Sequence, residues 1–549
     1  MSGARPGRGW VRAALLAPPV AFLLVFFAWP VANIVAEGLR VDGRWGLDGL
    51  GEVLGDARLR RIGAFTIAQA TASTALTLLL GLPVAHVLAR YAVPGRRLVG
   101  ALVTVPFVLP TVVVGAAFIA LLGARSPFGV DLRGSVWAIV LAHAFFNLAV
   151  VVRTVGGMWE QIDPRVEEAA RSLGASPWRV WREVTLPLLR PAITTAALVV
   201  FLFTATSFGT VLLLGGPGHA TLEVEIYRQT AHRFDLPVAS VLALIQLAAV
   251  TLLLALQARL ERRAPEAVRL GPPVRRPLRG RAAWGAGAVL AGLAAFVLVP
   301  VGVLVERSLR VGDRYTLAGW RALAERDRRS GLFVPALEAI GTSLRYAAVA
   351  TVLAVVLGGL AAAALTRRGG RVSRAVDAVL LLPLGTSAVT VGFGFILALD
   401  EPVDLRASPW LVPIAQAVVA LPFVVRTMTP VLRAIDPRLR EAAAVLGAPP
   451  LRAWREVDLP IVRRALLVAA GFAFAISLGE FGATSVIARA DAPTVPVAIE
   501  RLLGRPGAIR VTQAFALSTV LMALTIAAVL LVERLRGRDD ADRAPGGWW

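Results

Sequence analysis

The chain has 549 residues, of which 57% are apolar and 17% charged, whereas soluble domains are roughly 45–50% apolar and about 25% charged. Its net charge is +22, from 58 basic and 36 acidic residues, and every basic residue is an arginine. Because a Walker A loop needs a lysine, the chain cannot by itself be a conventional P-loop ATPase. Because it has no cysteine, it cannot carry a disulfide framework, a thiolate metal site or an iron–sulfur cluster.

Twelve apolar stretches are long enough to cross a bilayer, which takes about 20 mostly apolar residues in a helix. The sequence therefore predicts an all-α membrane protein with about twelve transmembrane helices. The first stretch follows Arg5, Arg8 and Arg12 and is longer than a signal-peptide core, so an uncleaved anchor is expected. The stretches cover residues 12–36, 64–90, 98–123, 136–157, 192–215, 237–259, 284–308, 339–366, 375–400, 409–431, 464–488 and 511–533.

Arginine is concentrated in connections that share one side of the bundle if every span crosses once. An acidic short loop, 400–407, falls on the other side, where the longer loops 37–63 and 309–338 mix arginine with acids. The positive-inside rule then places both termini in the cytoplasm. This bias accounts for most of the net charge, so no nucleic-acid partner is expected. The arginine-rich segments are 90–97, 158–191, 259–282, 366–374 and the tail after the last span.

The chain contains an internal repeat at an offset of 273 residues. Residues 162–187 and 435–460 are identical at 18 of 26 positions, and Phe208–Gly209 matches Phe481–Gly482. Six spans per copy predict two parallel repeats about an axis along the membrane normal. The expected domains are a first repeat at 1–259, a cytoplasmic linker at 260–282 and a second repeat at 283–549.

The repeated segment has the pattern of a helix pair between the fourth and fifth spans. Asp163 and Pro164 suit a helix start, and Gly174 suits a left-handed helix end. Ser176–Pro177 would begin a second helix, which Pro187 is predicted to close. Such a pair in both copies is interpreted as a docking element for a partner. The second copy repeats the plan with Asp436, Pro437, Gly447 and Pro450, although Pro449 replaces the serine.

These segments resemble the EAA signature of bacterial ABC-importer permeases, E-A-A-x3-G-x9-I-x-L-P, with Val184 and Val457 in the isoleucine place. The resemblance implies the type I importer permease fold and a coupling helix that docks on an ATPase subunit. The alternative for Glu168 and Glu441 is that each merely favours a helix N-terminus. Trp181 and Trp454 are either interfacial anchors or part of the docking surface. The residues matched are Glu168, Ala169, Ala170, Gly174, Leu186 and Pro187, and again Glu441, Ala442, Ala443, Gly447, Leu459 and Pro460.

Two EAA segments in one chain resemble the fused permeases of the ferric-iron and thiamine importer group. This implies a multi-pass protein of the bacterial plasma membrane with two separate ATPase subunits and a periplasmic or lipid-anchored binding protein. ATP would be used by the partner, and this chain would bind no cofactor. Segments 141–154 and 207–230 are most similar to thiamine permeases, whereas 477–502 suits thiamine or ferric iron alike.

Three residues are candidates for the transport path. Glu480 lies in an apolar context, where an ionisable group usually faces a cavity or a partner; the alternative is a structural pair with an arginine. Ser207 is its equivalent in the first copy, and Asn147 either lines the path or joins helices. The four histidines form no ligand spacing, so no metal site is expected.

Two other classes compete with a permease that needs an ATPase. Twelve spans in two parallel halves also fit an ion-gradient-driven secondary transporter, but the paired EAA segments and the scarcity of intramembrane acids disfavour it. A membrane enzyme would need a convergent acid, base and nucleophile, and no such set is found in the sequence.

Overall fold

The computed structural model describes residues 7–41, 44–124, 126–262, 274–327, 331–366, 379–380, 382–401 and 404–536. Residues 263–273 of the predicted linker, the loop at 367–374 and Arg5 lie outside these residues. The described part is helical apart from short strands and turns. The strands form two antiparallel hairpins, β1 Arg40–Val41 with β2 Arg44–Trp45, and β3 Arg310–Val311 with β4 Arg314–Tyr315.

The helices of the first half include three π-helical turns, Leu24–Ala28, Trp181–Thr185 and Gln229–Arg233. In chain order the α-helices are α1 Gly7–Leu23, α2 Trp29–Gly38, α3 Asp48–Gly55, α4 Ala57–Arg90, α5 Arg96–Val108, α6 Thr111–Leu122, α7 Val136–Gln161, α8 Pro164–Ser172, α9 Pro177–Val180, α10 Leu186–Ala205, α11 Gly209–Leu214, α12 Leu222–Arg228 and α13 Leu236–Arg262.

The second half follows the same order, with a π-turn at Trp454–Asp458 and 3-10 turns at Ala322–Ala324 and Leu382–Gly385. Its described α-helices are α14 Arg281–Ser308, α15 Ala318–Arg321, α16 Ala336–Leu365, α17 Ala388–Ala398, α18 Leu411–Arg433, α19 Pro437–Val445, α20 Pro450–Ala453, α21 Leu459–Gly479, α22 Gly482–Ile487, α23 Val495–Leu503 and α24 Ala508–Arg536.

The two hairpins show that the repeat is also structural. Arg40 pairs with Trp45 in the first hairpin, and Arg310 pairs with Tyr315 in the second. In both, the guanidinium lies over the aromatic ring, 4.6 Å from the Trp45 centroid and 5.7 Å from the Tyr315 centroid. The end of the bundle that carries these hairpins is called the hairpin side below.

Ten helices in the described part are long and apolar enough to span a membrane, or eleven if one bent pair is counted. The predicted span 98–123 is that pair, α5 and α6, bent by 100°. The predicted span 375–400 contains the shorter helix α17 in its described part. These two stretches are therefore not straight spans, because proline and glycine interrupt their apolar runs.

The prediction that Pro187 closes a helix is wrong. A continuous helix runs from Pro177 to Ala205, and its counterpart runs from Leu451 to Gly479. The π-turn before each proline explains the difference, since Leu186 N donates to Trp181 O and Leu459 N to Trp454 O, five residues back. This turn lets the helix pass the missing proline N–H.

The two halves exchange their first spanning helices. Helices α1 and α2 pack against α16 and α17 of the second half, while α14 packs against α4, α5 and α6 of the first. Trp29 Nε1 donates to the Ala398 carbonyl at 3.2 Å, and the Phe145 and Phe296 rings lie 6.0 Å apart. The halves are therefore interlocked by packing as well as by the chain.

Within each half, one glycine allows two long helices to approach closely. A Cβ built at Gly81 of α4 would lie 2.7 Å from Val151 Cγ1 of α7, and one at Gly358 of α16 would lie 2.8 Å from Val424 Cγ1 of α18. Small residues at such crossings are typical of membrane helix packing.

The substitution Gly81→Val is therefore expected to lower the free energy of unfolding by about 1–3 kcal/mol, as overpacking does. The matched control is Gly63→Val on the same helix, where a Cβ would have no neighbour within 4 Å. Thermal unfolding in detergent compares the two. Equal midpoints would contradict the role assigned to the close contact.

Candidate functional site

The predicted helix pair is present in both copies. In the first docking loop, residues 162–187, the Asp163 side chain caps α8 by accepting from Arg165 N at 2.9 Å. Asp436 does the same for Arg438 N in the second docking loop, residues 435–460. Both first helices end at a glycine in the left-handed region, Gly174 with φ +82° and Gly447 with φ +81°.

The EAA residues lie mostly on the surface of these loops. Beside them, apolar side chains project into solvent at equivalent positions, with Leu173 90% and Leu446 87% exposed. Trp178 and Trp181 stack in the first loop with ring centroids 5.1 Å apart. Exposed apolar patches of this kind mark interaction surfaces. Ala170 and Ala443 are half-buried, and the exposed EAA residues are Glu168, Ala169, Gly174, Pro187, Glu441, Ala442, Gly447 and Pro460.

The two EAA glutamates differ in their contacts. Glu168 forms an ion pair of 3.0 Å with Arg276, which lies in the second part of the predicted linker 260–282. The Arg276 backbone is held as well, since its N–H donates to Arg90 O and its carbonyl accepts from Ala92 N. Glu441 forms no ion pair with any residue that the structure describes. This part of the linker thus contacts the first docking loop and the end of α4, which the repeat alone could not predict.

A pair of equivalent phenylalanines meets at the centre of the molecule. The Phe208 and Phe481 rings stack with centroids 5.2 Å apart and an interplanar angle of 24°. Each lies where a spanning helix breaks, between α10 and α11 and between α21 and α22. Because the two residues are equivalent at the 273-residue offset, their contact lies on the axis that relates the halves.

A cavity of about 300 Å³ adjoins this pair on the hairpin side. Its lining includes Tyr227, whose ring lies 5.1 Å from that of Phe208, and Glu500, the equivalent position in the second half. Two equivalent residues in one wall place the cavity on the same axis. Glu225, two residues before Tyr227, forms an ion pair of 2.9 Å with Arg58 at the start of α4. Since α4 begins at the end of the bundle that carries the first hairpin, the cavity lies on the hairpin side. The other lining residues are Leu212, Arg228, His232 and Arg233.

Two of the arginines that line the cavity form polar contacts with other residues. Arg233 pairs with Glu225 at 3.7 Å, and Arg228 donates to the Gly216 carbonyl at 3.1 Å. Burial raises the pKa of the Glu500 carboxyl, an effect that Arg501 and Arg505 oppose. The cavity therefore presents an aromatic ring together with both signs of charge.

The path candidates lie in different places. Ser207 and Glu480 adjoin the axial phenylalanines in sequence, but Glu480 accepts from Ala483 N at 2.8 Å and Thr484 N at 3.0 Å, which caps α22. No arginine pairs with Glu480 among the described residues. Asn147 is buried inside the first half, where its amide donates to the His143 carbonyl.

Sequence reasoning did not single out Phe208, Phe481, Tyr227 or Glu500 for the path. Phe208 and Phe481 were noticed only as part of the repeat. A list of the large side chains that recur or change at the 273-residue offset would include all four, but it would not show which of them meet.

The fold and the paired docking loops define a duplicated membrane permease. The chain belongs to the family of binding-protein-dependent transport system inner membrane components, whose model matches residues 77–265 and again 354–538. It is thus a multi-pass inner-membrane permease subunit of an ABC importer and not itself an enzyme, which decides against the secondary-transporter and membrane-enzyme alternatives.

Among the particular relatives is the thiamine transport system permease protein ThiP of Brucella abortus (strain 2308). It is 30% identical over 97% of this chain and 98% of its own length. ThiP of Escherichia coli (strain K12) is 26% identical over 88% of this chain and 90% of its own. A solved bacterial ABC transporter involved in alginate import is 17% identical, with a TM-score of 0.40 over 47% of this chain and 97% of that chain.

Proposed function

We propose that this chain forms the transport path of a thiamine importer and docks two ATPase subunits, one on each docking loop. The observation that carries the docking assignment is the equivalent exposure of Leu173 and Leu446 beside the two EAA helices. The thiamine assignment is supported by the two full-length relatives, both of which are thiamine permeases. ATP is hydrolysed on the partner subunits, and this chain binds no cofactor.

The docking loops and both termini lie in the cytoplasm in this proposal. The first docking loop is at the end of α4, where Arg90 contacts Glu167, and Arg58 is at the other end of this 34-residue helix, about 50 Å away. Arg96, Arg275 and Arg276 gather at the docking-loop end. The positive-inside rule supports a cytoplasmic location for that end.

A periplasmic or lipid-anchored binding protein then delivers substrate on the hairpin side. The cavity at Tyr227 and Glu500 faces that side, and the Phe208–Phe481 stack closes the axis next to it. ATP-driven movement of the docking loops separates the stacked rings, because each ring lies at the end of a helix that begins in a docking loop. This sequence of steps is alternating access along the axis.

Reconstitution of the complex in proteoliposomes, with its ATPase and binding protein, tests the proposal. Uptake of labelled thiamine should require ATP and persist when the proton gradient is collapsed. Uptake that continues without ATP and disappears with the gradient would refute an ABC mechanism. Uptake of ferric iron, measured in parallel, decides between the two substrates of the ferric-iron and thiamine importer group.

A further inference from the structure

Beneath each docking helix, a charged side chain is bound to the spanning helix that follows. In the first copy, Glu167 of α8 accepts from Arg90 Nη2 at 2.6 Å and from Thr185 Oγ1 at 3.1 Å. In the second copy, Arg440 Nε of α19 donates to both carboxylate oxygens of Asp458, at 2.8 and 3.0 Å. These contacts are called anchor 1 (Arg90, Glu167 and Thr185) and anchor 2 (Arg440 and Asp458).

The two anchors join the same positions with opposite polarity. Glu167 and Arg440 are equivalent at the 273-residue offset, and so are Thr185 and Asp458. The docking helix therefore contributes the acid in the first copy and the base in the second. The hydrogen bond between these positions runs from Thr185 to Glu167 in the first copy and from Arg440 to Asp458 in the second. Since the contact persists while its direction reverses, the link between the two helices is the shared feature.

Each anchor contacts the π-turn that precedes a spanning helix. Thr185 and Asp458 are the last residues of the π-turns Trp181–Thr185 and Trp454–Asp458. Hydrogen bonds in a π-turn span five residues, and such turns are common at functional sites. From these turns, α10 and α21 run to the helix breaks beside Phe208 and Phe481. The anchors thus lie between the docking surface and the axial aromatic pair.

The acidic side chain of each anchor is shielded from solvent, unlike those of two other ion pairs on the docking loops, although Arg440 of anchor 2 is itself 40% exposed. The side chains of Glu167 and Asp458 are almost fully buried, whereas the pairs Arg179–Glu183 and Arg452–Glu456 are mostly exposed. Exposed pairs are screened by salt and contribute little, while buried and partly buried pairs are screened much less. Anchor 1 is tied to a third helix because Arg90 ends α4 and donates to the Ile162 carbonyl.

We propose that the two anchors are positioning contacts that transmit the movement of the docking loops to α10 and α21, and in the first copy also to α4. The inference rests on the proposed function, in which ATPase subunits move these loops. The docking surface itself is the exposed region around Leu173 and Leu446. Breaking an anchor therefore leaves the ATPase subunits bound but separates ATP hydrolysis from transport.

The test uses the reconstituted complex and measures thiamine transported per ATP hydrolysed, together with co-purification of the ATPase. Arg440→Asp places two acids at anchor 2, and we expect the transport ratio to fall roughly tenfold, as for a typical coupling free energy. Combining Arg440→Asp with Asp458→Arg restores the ion pair and should return the ratio to within about twofold of the original. Co-purification should remain unchanged in both variants.

The isosteric variants Glu167→Gln and Asp458→Asn repeat the test at anchor 1 and anchor 2. They replace Arg440→Asp if the complex with that variant does not assemble. The control is Asp404→Asn, which removes an exposed ion pair with Arg406 outside the docking loops and should leave the ratio unaltered. An unaltered ratio in the anchor variants, or a swapped pair as uncoupled as the single substitution, would overturn the proposal. If the unmodified complex shows no ATP-dependent uptake, or if the unmodified chain does not bind the ATPase, the proposed function itself is refuted.

Discussion

Replacing Gly174 and Gly447 together by proline is expected to abolish co-purification of the ATPase subunits, while the chain still inserts into the membrane. Both glycines end a docking helix with φ near +80°. Proline holds φ at about −65°, so the turn into the second helix cannot form. The adjacent Leu173 and Leu446 would then leave their exposed positions. Affinity purification from the membrane fraction measures the loss.

Asparagine at the same two positions provides the matched control. It enters the left-handed region more readily than other residues with a side chain, so Gly174→Asn with Gly447→Asn should retain the ATPase. Proline variants that recover the ATPase in normal yield would count against docking by these loops. Failure of the asparagine variants to bind would show that bulk at these positions, and not backbone conformation, is decisive.

Replacing Phe208 and Phe481 together by alanine should make the reconstituted complex leak thiamine in the absence of ATP. In the proposed path the stacked rings close the axis next to the cavity, and truncating a buried phenylalanine removes about 3–5 kcal/mol of stabilisation. Since 1.4 kcal/mol corresponds to a factor of ten, we expect passive flux to rise at least about tenfold. Efflux from preloaded proteoliposomes measures it.

Phe145→Ala controls for a general loss of packing. Phe145 is fully buried and packs against Phe118 and Phe296. It should lower thermal stability without opening a leak. Tight vesicles with the double alanine variant, or equal leaks in both variants, would contradict closure by Phe208 and Phe481.

The docking loops show how far local sequence rules extend. Asp163, Pro164 and Gly174 predicted the start and end of α8, because capping depends only on neighbouring backbone groups. The same rules misplaced the end of the next helix at Pro187. A π-turn is a local rearrangement that the surrounding helices stabilise, and Thr185 is held there by Glu167, 18 residues away. Proline alone does not reveal it.

Glu480 shows the corresponding limit for the transport path. Its apolar surroundings in the sequence indicated a functional carboxylate. It directly precedes Phe481, one of the two axial phenylalanines. Its oxygens nevertheless receive the N–H groups of Ala483 and Thr484 at the start of α22. A break inside a membrane helix leaves such donors without partners, so capping accounts for the observed contacts. A role of Glu480 in the path stays a prediction.

The amino-acid sequence by itself determined the helical membrane class, the duplication and the helix pairs of the two docking loops. Hydropathy and capping depend on neighbouring residues, and a repeat is found by comparing the chain with itself. Only the tertiary structure decided which helices the halves exchange and which side chains meet on the axis. Phe208 reaches Phe481, and Tyr227 shares a cavity with Glu500, across 273 residues. Contacts at that separation follow from the packing of the whole bundle, which no local pattern encodes.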